Sequence, residues 1–125
     1  MLKKIILIGI FSLLLTVSFY QNYFLKRNGD YFFSEIKKVE FQVEQENFES
    51  ALKDANVIFE SWNEIKPRYE MLCEHDEVDK IQAAFEEFVI LVDQDNILCL
   101  TQSALLKYYI DHIVKIDSFS FENIF

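Results

Sequence analysis

Residues 47–72, NFESALKDANVIFESWNEIKPRYEML, carry the plainest pattern in the chain. Phe48, Leu52, Ala55, Phe59, Trp62, Ile65, Tyr69 and Leu72 recur at intervals of three and four. That spacing keeps side chains on one face of an α-helix. A single apolar stripe predicts a helix covered on one side and wet on the other. Asn47 suits the N-cap, because its side-chain oxygen can accept a first-turn backbone N–H. Pro67 lacks an N–H and crowds the preceding turn, which predicts a kink or a split at Lys66.

The same period appears on either side. Upstream, Phe32, Ile36, Val39 and Val43 predict a helix over 31–44, and Asn28-Gly29-Asp30 reads as a turn or helix stop ahead of it. Downstream, Glu74-His75-Asp76-Glu77 interrupts the stripe, with Asp76 placed to cap a third helix that carries Val78, Ile81, Phe85, Phe88 and Val92. Asp93 to Asn96 reads as the next turn. A fourth helix over 97–116 differs in kind. Leu98, Leu105, Leu106, Tyr109, Ile110, Ile113, Val114 and Ile116 spread over about half its circumference. A stripe so wide must touch two neighbours, so this helix is either the bundle centre or a surface for a partner. Leu106, Ile110, Ile113 and Val114 are the partner-binding candidates. The last eight residues, SFSFENIF, read as a tail tucked onto the core.

Composition supports an all-helical chain. Two glycines and one proline are too few for hairpins and tight turns. An apolar fraction of 51% with 16% aromatic residues excludes disorder. Short connections imply antiparallel neighbours, and no period near that of helical-hairpin repeats recurs. The expected architecture is an N-terminal transmembrane helix (residues 1–27) followed by an acidic domain (28–125), an up-down antiparallel bundle of three to four helices.

The anchor reading rests on Ile5 to Phe24, which holds no charged residue and begins IILIGIFSLLLTVSFY. Twenty helical residues reach about 30 Å, the thickness of a hydrocarbon core. Tyr20 and Tyr23, then Lys26 and Arg27, stand where an aromatic and basic belt belongs. A cleaved signal peptide is the rival, but bulky Phe19, Tyr20, Tyr23 and Phe24 leave only Thr16-Val17-Ser18 as a small-residue cleavage site. Lys3 and Lys4 at the start favour a single-pass signal-anchor in the cell membrane with the acidic domain outside the cytoplasm. Residues 1–27 carry four basic residues and no acid, whereas residues 28–125 carry all 21 acids against the other eight lysines and arginines. Such a domain repels phosphate backbones, which excludes nucleic acid as a partner.

Candidate chemistry is sparse. Cys73 and Cys99 flank an entire antiparallel helix, which puts them at opposite ends of a bundle and outside disulfide range. Cys73, His75, Glu77 and His112 share one end and could in principle ligate a metal. No metal-motif spacing supports this, and turn, capping and helix-face roles account for these residues more simply. The domain has no glycine-rich loop and no recognisable nucleophile–base pair, so neither an enzyme nor a cofactor is expected.

The Lys-flanked anchor, Asn47-Phe48-Glu49, Trp62-Asn63-Glu64-Ile65-Lys66, His75-Asp76-Glu77-Val78-Asp79 and the closing Phe121-Glu122-Asn123-Ile124-Phe125 together resemble the DUF4363 family, small bacterial proteins of unknown function. The resemblance implies a single-pass membrane protein with a helical domain and no assigned activity, and hints at a membrane partner. The functional expectation is a membrane-anchored helical interaction module that partners another membrane or envelope protein. A small ligand- or metal-sensing domain and a structural homo-oligomer are the alternatives.

Overall fold

The computed structural model describes the backbone of residues 1–124 and the side chains of residues 1–116. Four helices follow in order: α1 (Leu2–Glu44), α2 (Phe48–Leu72), α3 (His75–Asp93) and α4 (Cys99–Ile124). Each packs on the next, and α4 returns to α1, closing an up-down four-helix bundle. The α1–α4 pair runs antiparallel: Gly29 lies against Val114 near one end and Glu40 against Ser103 further along.

One helix serves as both apolar extension and first bundle helix. α1 spans 43 residues, about 64 Å at 1.5 Å per residue. Its N-terminal half projects from the bundle with Leu2, Ile5 to Ile8, Leu13, Leu14, Phe19 and Tyr23 all exposed. Burial begins at Phe24 and continues through Leu25, Gly29, Phe32, Ile36, Val39 and Val43. Two expectations are corrected here. Phe24 belongs to the bundle rather than to the apolar extension. Asn28-Gly29-Asp30 is not a turn: Asn28 Nδ2 donates to the Phe24 carbonyl at 2.9 Å, so its polar group is satisfied inside the helix. Gly29 lets α4 approach, since a Cβ there would lie 3.1 Å from Val114 Cγ2. Close packing overrides the local preference of glycine, worth about 1 kcal/mol against a helix interior.

α2 is not split at Lys66: Pro67 lies inside the continuous helix. Asn47 caps it as expected, accepting the Ser50 N–H at 3.3 Å. The N-cap of α3 is Glu74, not Asp76, and it makes no side-chain cap bond; Asp76 and Glu77 lie in the first turn. α4 begins two residues later than predicted and its backbone continues as helix to Ile124 instead of ending at Ile116. The expected packing of the apolar residues of SFSFENIF falls outside the described side chains.

The core is aromatic at its centre. Phe32, Trp62 and Phe85 come from α1, α2 and α3 and are all fully buried. Trp62 and Phe85 stack at 5.6 Å and 21°, with Phe32 edge-on to Phe85 at 5.9 Å. The Trp62 indole N–H donates to Gln82 Oε1 at 2.7 Å, so its one polar group is satisfied.

Candidate functional site

The end of the bundle from which the apolar half of α1 projects is closed by side chains of α1. Gln21 Nε2 donates to the Leu72 carbonyl at 3.1 Å, one of the carbonyls left open at the C-terminus of α2. Phe24 packs on Tyr69 at 5.6 Å, and the Arg68 guanidinium lies over the Phe24 ring at 6.0 Å. Burial, with the nearby Cys73 thiol as a lesser cause, pushes the Tyr69 phenol well above its ordinary range. This base therefore comprises the α2–α3 connection fastened to α1 just where α1 leaves the bundle. Beside it an open cleft of about 330 Å³ between α1 and α2 is lined by Asn28, Tyr31, Phe32, Ser61, Glu64, Ile65 and Arg68.

Further along, α1 and α4 are joined by a polar clasp. Glu40 Oε1 accepts from Lys107 Nζ at 2.7 Å, and its Oε2 accepts from the Ser103 hydroxyl at 2.5 Å. Ser103 is fully buried, and the Lys107 and Glu40 side chains are mostly so. Lys107 also lies over the Phe33 ring at 5.3 Å. Burial pushes the Cys99 thiol up, and the charge of Glu40 adds to the effect. The clasp was not foreseen, because Glu40 and its partners lie more than 60 residues apart in sequence. The only local signal is a charged residue interrupting each apolar face.

The predicted partner-binding residues lie in the interior. Leu106, Ile110 and Ile113 are buried and Val114 is packed against the core, so of the two roles open to the wide face these four take the bundle-centre one. What α4 and the turn just before it show to solvent is a second apolar set: Leu98 in the turn, then Leu105, Tyr108 and Ile116 on the helix. An arc of half the circumference is wider than two neighbouring helices cover, and the excess stays outside.

The metal candidates are not gathered. His75 is exposed, Cys73 and Glu77 are half-buried, and half-buried His112 stacks on Tyr108 at 5.7 Å and 12°. Among the described residues no group of three or more His, Cys, Asp or Glu side chains is assembled to hold an ion. Neither Cys73 nor Cys99 takes part in a disulfide.

The family model for a domain of unknown function, DUF4363, matches residues 19–124. The chain belongs to the DUF4363 family. The match begins at Phe19, five residues before burial starts on α1, so what DUF4363 describes is the bundle with its base and clasp, and most of the apolar extension lies outside it. Neither the curated proteins nor the solved structures provide a match.

Proposed function

We propose that this DUF4363 chain is a single-pass membrane protein whose bundle is held at the membrane surface as an interaction module for another membrane or envelope protein. The observation that carries this is the continuity of α1. Its first half is mostly apolar and has no buried residue before Phe24, with one window long enough to cross a membrane, and its second half is a core element of the bundle. The uncharged run Ile5 to Tyr23 reaches about 28 Å, close to a hydrocarbon core of about 30 Å. With no linker between the halves, the base of the bundle faces the headgroups. Tyr20, Tyr23, Lys26 and Arg27 then stand at the interface.

Lys3 and Lys4 hold the other flank in the cytoplasm, which puts the acidic domain outside. Its excess of acids favours a basic or apolar protein surface over anionic lipid. No catalytic step is assigned to the chain: Ser103, fully buried, and Lys107, half-buried, are both engaged by Glu40.

The test uses the full-length protein in native membranes. Alkaline extraction should leave it in the membrane pellet. Val57→Cys, exposed on α2, should react with an impermeant maleimide in intact cells. Purification in mild detergent should recover a stoichiometric second membrane or envelope protein. Release of a fragment lacking the apolar segment contradicts the anchor, and labelling only after lysis contradicts the orientation. Recovery without any protein partner contradicts the interaction role.

A further inference from the structure

We propose that the outer stripe of α4 pairs with the same stripe of a second copy, forming a parallel two-fold dimer with its axis along the membrane normal. The inference rests on the membrane-anchored reading and supplies that reading with one concrete partner surface.

The stripe starts at Leu98, in the turn just before α4, and continues along α4. Leu98 is 59% exposed, Leu105 39%, Tyr108 59% and Ile116 44%. At 100° per residue they fall within an arc of about 80°. Exposed apolar residues on the bundle portions of the other helices are spaced apart: Tyr31 and Phe41 on α1, Val57 and Met71 on α2, Ile90 on α3. Isolated residues of that kind are ordinary, whereas an aligned series is not. The positions Leu98 and Leu105, with Thr101 and Tyr108 between and after them, follow the seven-residue repeat of a two-helix seam. Exposed Thr101 and Ala104 are small and leave room for close approach.

Charge selects the occupant. Residues 28–125 carry far more acid than base, so two copies repel through most of their surface. From Ile97 to Ile110 there is no acidic residue, and the one charge, Lys107, is turned to Glu40 of its own chain. By contrast α3 carries Glu86, Glu87 and Asp93 along its length. From Leu98 to Tyr108, therefore, two copies meet with no opposing acid.

The anchor then fixes the symmetry. Copies inserted through the same segment point the same way, so a closed pair is isologous about an axis normal to the membrane. Because α4 runs antiparallel to α1, two α4 helices meet parallel and in register. Leu98 faces Leu98 of the second copy, and Leu105 faces Leu105. An antiparallel pairing would send one anchor away from the membrane.

The test is oxidative cross-linking of the full-length protein in native membranes. Leu98→Cys and Leu105→Cys are made singly, with Val57→Cys on α2 as the control face and the unaltered protein, with Cys73 and Cys99, as background. The proposal expects disulfide-linked dimer from the two α4 variants at several times the yield of Val57→Cys. It also expects Leu105→Glu, added to Leu98→Cys, to abolish that product while helical circular dichroism and thermal unfolding are retained. Equal yields at all three positions, a monomer throughout, or adducts only with a different protein overturn it. A membrane-retained monomer sinks this inference and leaves the anchored reading standing; a chain recovered outside the membrane removes both.

Discussion

Tyr69 shows how far one side chain can be displaced from its behaviour in water. Its ring is buried between Phe24 and Trp62, and desolvation disfavours the phenolate. In the unfolded chain a tyrosine ionises near ~10. The folded chain holds Tyr69 neutral above that, so the native state keeps more protons and stability falls as pH rises past about 10. Denaturant unfolding at pH 8 and pH 11 should show this loss, and Tyr69→Phe should lose less over the same interval. Cys99 makes a second expectation at this scale. Fully buried, with its thiol pushed up by burial, it should react with iodoacetamide far more slowly than half-buried Cys73. Mass spectrometry of a time course reads the order, and comparable rates would contradict the placement of Cys99. Trp62, Tyr69 and Phe85 were legible as core from spacing alone, because a helical stripe is a local signal. The Glu40–Ser103–Lys107 clasp was not, because no local pattern says which distant hydroxyl a carboxylate will meet.

At the level of elements, the apolar stripes and the two distal turns were legible, whereas several helix ends were not. Asn47 was recognisable as a cap, and both distal turns fall where polar runs interrupt the stripes. Their geometry adds detail. After α1, Glu46 adopts φ 60° while Asn47 N–H bonds the Gln42 carbonyl and Glu46 N–H bonds the Val43 carbonyl. After α3, Asp95 at φ 52° does the same, with Asn96 bonding Leu91 and Asp95 bonding Val92. These are paired C-terminal caps whose left-handed residue is usually glycine. Glutamate tolerates that conformation poorly, so Glu46→Gly should stabilise the protein by about 1 kcal/mol, read as a rise in thermal midpoint. A fall would mean that Glu46 makes a favourable contact larger than its backbone cost. Asp95→Gly should gain less, since aspartate enters that region more readily. The turn expected at Asn28-Gly29-Asp30 and a split at Pro67 did not occur; both sites lie inside helices. Local preference favoured an interruption at each, and tertiary contact decided otherwise at Gly29, where Val114 and Ile110 fill the space a side chain would take.

For the molecule as a whole, the unbroken α1 decides what the bundle can do. A flexible joint after residue 27 would let the acidic domain tumble beside the apolar segment. A continuous helix instead fixes which end of the bundle faces the apolar extension. The sequence predicted the two parts separately and placed a joint between them. The joint was misread because the glycine that suggests it is explained only by α4, which lies some 80 residues downstream. The apolar width of α4 was legible as well, but its division between core and surface depends on where α1 and α3 lie. The most direct test is a spin-label distance between Tyr23 and Phe41, both exposed on α1 on either side of Gly29. It is measured on full-length protein in lipid nanodiscs, with Cys73 and Cys99 replaced by serine and alanine. Eighteen helical residues predict one narrow distribution near ~27 Å. A broad distribution, or a distinctly shorter one, would contradict a continuous helix and with it the fixed stance of the bundle on the membrane.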